Sequence, residues 1–388
     1  MDVKNSRRFF KLSLDYGLIF YRSTASYSPF HQRMTRIYFA TNRRPNRATN
    51  PDDFGSQFSD DGLANLRFGR AEVTGPNFDQ FQIQVAPENL FADPPVLGSA
   101  AIFEQVRQDM ARTGEDTIIF IHGFNTSFRG ALSSAAKLHQ VLTANDPLRP
   151  AQPLNLNMCV FSWPSDASLL LTDPRSRDAV AYKNDRLDAA ASGTAFARAF
   201  LKLADFINDI NQKFQPRCNQ RLHLIAHSMG AYVLRCAIQE VKKQVVQLPR
   251  IFDQVLLMAA DEDDDAFDLD YKLFSLPRIT RRTSVYFNRN DLALWASDTL
   301  KGNAPRLGTD GPIQPQALPR NVYSIDCTDI ISRITDPAEH GYFITVPRVV
   351  TDMRQVLRNQ IPDEIPGRRY IPETNRYRLL MGLEAQNR

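Results

Sequence analysis

Short apolar runs rich in β-branched residues alternate along this chain with longer segments of helical periodicity. The apolar runs cover 36–43, 66–76, 117–124, 157–164, 221–228, 254–261, 283–291 and 321–329. Helical patterns begin near residues 129, 182, 230 and 346. Strands that alternate with helices in this order form a mainly parallel sheet with helices on both faces. The sequence therefore predicts an α/β fold, with the first two runs at a sheet edge.

The ends of the chain fall outside this alternation. We predict an N-terminal extension over residues 1–33, a single main domain over 34–358, and a C-terminal tail over 359–388 that is loosely held or makes contacts. Residues 295–320 are rich in Gly and Pro and lack a clear period. A long segment of that kind inside a compact domain predicts a functional loop or lid insertion.

Composition excludes several classes of protein. The 388 residues are 43% hydrophobic, and Lys and Arg (47) barely exceed Asp and Glu (43), so we expect no nucleic-acid partner. No run of eighteen apolar residues occurs, and Lys11 and Asp15 interrupt the first apolar stretch, so we expect neither a signal peptide nor membrane contact. The four cysteines form no CxxC pair or metal spacing, which favours the cytoplasm and predicts no metal.

One serine follows a predicted strand in the segment "RLHLIAHSMGAYVL". Ser228 lies between this strand and a helix that begins near Gly230, and the small residues Ala226 and Gly230 stand two positions before and after it. A serine at such a sharp strand-to-helix turn is typical of a nucleophile elbow, which exposes its hydroxyl. The alternative is a serine that only caps the following helix. The strand before and the helix after favour the nucleophile.

Enzymes with this elbow carry the serine, an acid and a histidine in that chain order. His340 is the one histidine of six that follows Ser228, so we predict that it is the general base. Two aspartates compete for the acid. Asp291 ends the penultimate predicted strand, the usual position of the group that orients the imidazole, and is our choice. Asp261, one strand earlier, stays open as the alternative.

Two backbone N–H groups are needed to stabilise the oxyanion of an acyl-transfer intermediate. We predict that Met229, directly after the nucleophile, supplies one. The loop "IHGFNTS" supplies the other from Phe124, because Gly123 lets the backbone turn sharply. His122 is interpreted as a structural residue that braces this loop, and His227 is expected to face away from the site.

The segments "FIHGFNTSF", "VFSWPSDAS", "LIAHSMGAYVL", "NRNDLAL" and "HGYF" together resemble the DUF900 group of α/β-hydrolases. The resemblance spans about residues 34–358. It implies an α/β-hydrolase fold, with Ser228 as nucleophile, Asp291 as acid and His340 as base. The family is described mainly as esterase-like or lipase-like hydrolases, so the resemblance brings no defined substrate.

We therefore expect a serine hydrolase that cleaves a small-molecule carboxylic ester through an acyl-enzyme and needs no cofactor. Trp163, Leu292 and Trp295 are predicted to line the substrate pocket, although ordinary core packing explains such residues equally well. Fold does not fix the reaction. An acyltransferase on the same scaffold and a non-catalytic binding protein remain the alternatives.

Overall fold

A computed structural model describes residues 34–89, 91–145, 154–165, 174–213, 219–301 and 304–382. These residues belong to one compact unit, Met34–Arg388. The N-terminal extension predicted over residues 1–33 lies outside the described residues. No helix in the described part of the chain is long and apolar enough to cross a membrane.

Thirteen strands occur in the described residues. They are β1 (Thr35–Thr41), β2 (Arg43–Pro45), β3 (Phe54–Phe58), β4 (Arg67–Thr74), β5 (Gln80–Val85), β6 (Asp116–Ile121), β7 (Leu156–Ser162), β8 (Leu222–His227), β9 (Phe252–Met258), β10 (Thr280–Phe287), β11 (Val322–Asp326), β12 (Arg368–Ile371) and β13 (Arg376–Leu379). Eleven of them form one sheet in the order β12-β13-β11-β10-β9-β8-β6-β7-β1-β4-β5, and β2 pairs with β3. From β13 to β1 all neighbours are parallel, whereas β4, β5 and β12 are antiparallel.

The helices cover both faces of the sheet. They are α1 (Gly98–Thr113), α2 (Phe128–Thr143), α3 (Pro174–Lys213), α4 (Gly230–Gln244), α5 (Leu276–Ile279), α6 (Leu292–Lys301), α7 (Leu307–Asp310), α8 (Tyr342–Thr345) and α9 (Pro347–Leu357). One core joins α2, α8 and α9 to the sheet, and the other joins α1, α3 and α4 to its opposite face. The predicted α/β fold is confirmed, and each predicted run contains a strand of the sheet.

The sequence of β8 shows why the central strands read as continuous apolar runs. Leu224 and Ala226 pack into the core under α3 and α4, whereas Ile225 packs into the core under α2. Because successive side chains of a strand point to opposite faces, a strand covered on both faces is apolar at most of its central positions. Burial of each large aliphatic side chain contributes about 1.5–3 kcal/mol.

Strand β5 and helix α1 were not predicted from the sequence. Strand β5 alternates exposed and half-buried residues and forms the edge of the sheet, outside β4. The strands of the first two predicted runs, β1 and β4, are therefore third and second from this edge and not at the edge itself. Helix α1 buries one stripe formed by Ile102, Val106 and Met110. An element that buries only one narrow face carries a weak apolar signal, which explains why these segments were not predicted.

The predicted C-terminal tail is corrected by the structure for residues 359–382. Strand β13 pairs in parallel with β11, with Tyr377 opposite Ile325, and β12 pairs with β13. The guanidinium of Arg368 donates to both carboxylate oxygens of Asp352 in α9, at 2.7 and 2.5 Å. These residues therefore extend the sheet instead of lying outside it. Their short polar strands carry too few apolar residues to show a period.

The predicted loop or lid at 295–320 is also corrected. Its described part contains most of α6, all of α7 and a 3₁₀ turn, Pro315–Ala317. The amide of Gly308 donates to Ala260 at 3.0 Å, and the amide of Asn288 donates to Gly308 at 3.0 Å. A Cβ atom at position 308 would lie 2.4 Å from the backbone of Ala259, so the segment is wedged between the ends of β9 and β10. It is part of the scaffold.

Candidate active site

Ser228 lies in a strained turn between β8 and α4. Its φ of 53° is in the left-handed region, which residues other than glycine rarely adopt. The turn is fixed by its own backbone, because the Ser228 amide donates to Met258 at 3.0 Å and its carbonyl accepts from Asp261 at 3.1 Å. Strain of this kind persists only where the surrounding structure imposes it, and it is frequent at functional sites. The turn has the geometry of a nucleophile elbow.

Two glycines allow the loop after β6 to approach this elbow. A Cβ atom at Gly230 would lie 2.5 Å from the carbonyl oxygen of Ile121 and 2.7 Å from that of His122. A Cβ atom at Gly123 would lie 2.8 Å from the Cβ of Ser228. Both positions therefore require glycine, and the loop that carries Phe124 packs directly against the serine turn.

Asp291 and His340 form a buried pair beside the elbow. His340 Nδ1 donates to Asp291 Oδ2 at 2.7 Å, and Asp291 has no solvent exposure. The second carboxylate oxygen of Asp291 accepts from the amide of Leu294 at 3.0 Å and so caps α6. Asp261, the alternative acid, instead pairs with Arg306 at 3.1 Å. Of the two aspartates, Asp291 is therefore the one that orients His340.

The segment that carries His340 is attached to the ends of β9 and β10. The side-chain amide of Asn288 donates to the carbonyl of Glu339 at 3.0 Å. After His340, the hydroxyl of Tyr342 donates to Tyr286 and accepts from the amide of Ala259, each at 3.0 Å. These hydrogen bonds fix the backbone on both sides of His340, so the ends of β9 and β10 set the position of its imidazole.

His227 does not face away from the site, and that expectation was wrong. Its ring centroid lies 4.7 Å from the ring of His340 and 4.6 Å from that of Phe343. Its Nε2 lies 3.3 Å from the carbonyl oxygen of His340. His227 directly precedes Ser228, so this contact connects the turn that carries Ser228 to His340.

The charges of these groups are set by burial and by one another. Burial opposes the protonated form of His340, but the carboxylate of Asp291 outweighs it and raises the pKa of His340 above its ordinary value. Burial raises the pKa of Asp291, and His340 opposes that shift. Burial, assisted by the charge of His340, holds the pKa of His227 well below its usual range. His227 is therefore neutral, whereas His340 is the more readily protonated of the two imidazoles.

Ser228 Oγ makes no hydrogen bond to His340 within the described residues. Because Nδ1 of His340 is bonded to Asp291, Nε2 is the nitrogen that remains for the serine. Catalytic hydrogen bonds are often long in a free enzyme and shorten only when substrate binds. The hydrogen-bonded pair of Asp291 and His340 is thus formed, and Ser228 follows β8, the strand whose last residue, His227, contacts His340.

Of the two predicted oxyanion donors, Met229 has the clearer geometry. It is the N-cap of α4, and its N–H donates to no backbone oxygen of the described residues. Free N–H groups at a helix N-terminus favour negative charge. The N–H of Met229 is therefore suited to an oxyanion at Ser228.

Phe124 lies on the loop that packs against the elbow. The next amide, that of Asn125, donates to the buried Asp185 at 3.3 Å. The carbonyl of Thr126 accepts from Arg43 at 2.5 Å. Arg43 is itself 1% exposed and also donates to Ser162 at 3.0 Å. Sequence reasoning missed Arg43 and Asp185, because only the partners brought by folding distinguish them from surface charges.

Trp163 does not line a pocket, which corrects its predicted role. It has no solvent exposure, and its ring stacks on His122 with centroids 5.2 Å apart. Its indole N–H donates to the carbonyl of His122 at 3.0 Å, and His122 accepts from the Trp163 amide through Nε2. Burial, assisted by Arg43, lowers the pKa of His122 to about 3. The pair braces the loop that carries Phe124, as expected of His122.

Leu292 and Trp295 remain available to a substrate. Both lie on the first turns of α6, directly after Asp291, and their side chains are 37% and 55% exposed. They are three positions apart, so they lie on one face of the helix. Among the described residues, no group of three or more His, Cys, Asp and Glu side chains is arranged to hold a metal ion.

Comparison with known proteins agrees with this architecture. Residues 99–360 match the family model described as an alpha/beta hydrolase of unknown function (DUF900). The matched range is more than half of the chain and contains Ser228, Asp291 and His340. The chain is also similar to the uncharacterized protein alr1448 of Nostoc sp. (strain PCC 7120), with 23% identity over 85% of this chain and 95% of that protein.

Proposed function

Because the chain belongs to the DUF900 family of alpha/beta hydrolases, we propose that it is a serine hydrolase that cleaves carboxylic esters. The observation that carries this proposal is the 2.7 Å hydrogen bond between the buried Asp291 and His340, beside a serine with a left-handed backbone. A buried carboxylate that raises the pKa of a neighbouring imidazole is the arrangement that a general base requires.

The proposed reaction has two halves. His340 Nε2 removes the proton of Ser228 as Oγ attacks the acyl carbon, and Asp291 stabilises the imidazolium that forms. The N–H groups of Met229 and Phe124 bind the oxyanion. The imidazolium then protonates the departing alcohol and leaves an acyl-enzyme. Water attacks this intermediate with His340 again as base, which releases the acid and restores the serine.

The surroundings of the Asp291–His340 pair favour an ester with an apolar acyl group. Leu292 and Trp295 present exposed apolar side chains on α6, beside the aspartate that orients His340. Apolar side chains near a few placed polar groups are typical of small-molecule sites. We expect an esterase-like or lipase-like preference.

A fluorophosphonate probe tests the activated nucleophile. We expect wild-type protein to be labelled at Ser228, as mapped by mass spectrometry, and Ser228→Ala to lose that label. Ser284→Ala, which removes a buried hydroxyl from β10, provides a matched control and is expected to keep it. A folded wild-type protein that stays unlabelled would contradict the proposal and favour a binding protein.

A panel of p-nitrophenyl esters of increasing acyl length then tests the reaction itself. Release of the free acid in water supports the hydrolase. If added short alcohols capture the acyl group in preference to water, the acyltransferase replaces it. Leu292→Ala and Trp295→Ala are expected to raise KM for the longer esters more than for acetate esters, since they remove apolar contact area.

A further inference from the structure

A large apolar cavity lies on the face of the sheet that α1 and α3 cover. Its volume is about 800 Å³. The first residues of β6, β8 and β9 form its floor, and the second half of α3 forms a wall. Its apolar lining includes Ile102, Phe103, Phe161, Phe196, Phe200 and Ile207. Two sheet side chains of the lining, Ile119 and Cys159, are half-buried, whereas Tyr38, Phe68 and Phe161 are buried.

This cavity is separate from the candidate active site. Leu222, the first residue of β8, contributes to its wall, whereas Ser228 follows the last residue of the same strand. Six residues of extended chain span about 20 Å. None of Ser228, Asp291 and His340 lines the cavity. The cavity therefore opens near the amino ends of the parallel strands, opposite the edge that carries the serine.

The charged residues of the cavity wall are mostly basic. Four arginines, Arg107, Arg221, Arg250 and Arg281, line it together with a single acid, Asp253. Arg281 pairs with Asp253 at 3.2 Å. Arg250 is exposed and forms no ion pair with any described residue. Arg107 and Arg221 are paired with Glu104 and Asp116 at 2.5 and 2.7 Å, so Arg250 is the one arginine of the cavity wall that has no acidic partner among the described residues.

We infer that this cavity binds the anion of a long-chain fatty acid. The volume lies within the range of small-molecule sites, and the apolar walls suit a single acyl chain. The carboxylate is placed at the amino edge of the strands, where Arg250 supplies a guanidinium for a charge-assisted bond. This site is independent of the proposed function, because its occupant does not reach Ser228.

Titration of full-length protein with the fluorescent fatty acid cis-parinaric acid, displaced by palmitate, tests this site. The Ser228→Ala background is used, so that the result does not depend on catalysis. We expect saturable binding of one molecule per chain. Ala199→Trp, which fills the cavity from α3, is expected to weaken binding at least tenfold, whereas Ala101→Trp on the exposed face of α1 leaves it unchanged.

A charge variant tests the orientation of the ligand. Arg250→Glu is expected to weaken palmitate binding about tenfold and to leave hexadecanol, the uncharged analogue, unaffected. Arg320→Glu, an exposed arginine outside the cavity wall, is the matched control. Circular dichroism and melting temperature establish that each variant is folded.

Three results would overturn the inference. The first is a folded protein that shows no displaceable binding. This result is expected if a protein segment or another copy of the chain fills the cavity. The second is unchanged affinity in Ala199→Trp, which would put the fatty acid elsewhere. The third is equal loss of palmitate and hexadecanol binding in Arg250→Glu, which would remove the role of the carboxylate.

Discussion

The imidazole of His340 is subject to two opposing effects, and their balance sets the pKa of this proposed general base. Burial disfavours its charged form, whereas the carboxylate of Asp291, hydrogen-bonded at 2.7 Å, favours it more strongly. The result is a raised pKa. A general base acts only when unprotonated, so the hydrolytic rate must fall as the pH drops through this raised value.

Asp291→Asn tests this balance. The substitution removes the charge that stabilises the imidazolium, so the pKa of His340 falls and the acid limb of kcat/KM moves to lower pH. We also expect kcat to fall about 10³–10⁴-fold, because the imidazole loses its orienting partner. The pH profile of ester hydrolysis measures both effects. Asp329→Asn, an exposed carboxylate, is the control, and an unmoved limb in Asp291→Asn would exclude Asp291 as the partner.

His227 tests whether ring packing positions the base. His227→Ala removes the ring that contacts His340 at 4.7 Å, and we expect kcat to fall about 10²-fold because a small displacement of a catalytic group is costly. His227→Phe keeps a ring against Phe343 and is expected to retain more activity. KM is expected to change little in both variants. Equal kcat values for the two would show that ring packing at this position is unimportant.

The turn from β8 to α4 packs so closely against the loop after β6 that there is no space for one extra carbon atom. Gly230→Ala places a Cβ atom 2.5 Å from the carbonyl oxygen of Ile121, a backbone atom that moves only with its strand. We expect a loss of about 1–3 kcal/mol in the free energy of unfolding. The fluorophosphonate labelling rate is also expected to fall, since the loop that carries Phe124 is displaced.

Gly55→Ala is the control for this prediction. A Cβ atom there meets its nearest neighbour, the carbonyl oxygen of Arg44, at 3.8 Å, which is ordinary contact. Urea unfolding followed by circular dichroism compares the two variants. A Gly230→Ala protein as stable and as rapidly labelled as wild type would show that the elbow tolerates displacement from the loop.

At the scale of the whole molecule, the last strands are joined to the core through buried charge. Arg368 of β12 donates to both oxygens of Asp352 in α9, and Tyr286 of β10 donates to the same carboxylate at 2.7 Å. Burial opposes the charge of Asp352, but Arg368 outweighs it and holds the pKa of Asp352 below its ordinary value. This cluster connects three elements that are far apart in sequence.

Arg368→Ala is therefore expected to destabilise the protein by about 3–5 kcal/mol, because it leaves a carboxylate buried without its partner. The pKa of Asp352 is lowered by folding, so its contribution is present above its unfolded pKa and is lost as pH falls through the folded value. The loss in the variant should thus be largest near neutral pH and smaller in acid. Urea unfolding at several pH values measures it.

Arg369→Ala, in the neighbouring exposed position of β12, is the control and is expected to change stability by less than about 0.5 kcal/mol. If Arg368→Ala is equally mild, the C-terminal residues contribute little to the fold, as the sequence first indicated.

Features that are local or periodic can be recognised without the structure. Strands buried on both faces carry near-continuous apolar runs, and such runs mark β6 to β9 and the second half of β10 in the printed sequence. The elbow around Ser228 is likewise visible because a strand, a small residue and a helix are contiguous. His340 is identified because it alone of the six histidines follows Ser228.

The residues that meet from distant parts of the chain are known from the fold. It paired His340 with Asp291 instead of Asp261, brought His227 against the base, and buried Arg43 and Arg368. The physical reason is that a polar side chain is buried only where partners satisfy it, and those partners come from other elements. The apolar period of a segment indicates that one of its faces is buried, whereas the packing of the elements determines which residues bury that face.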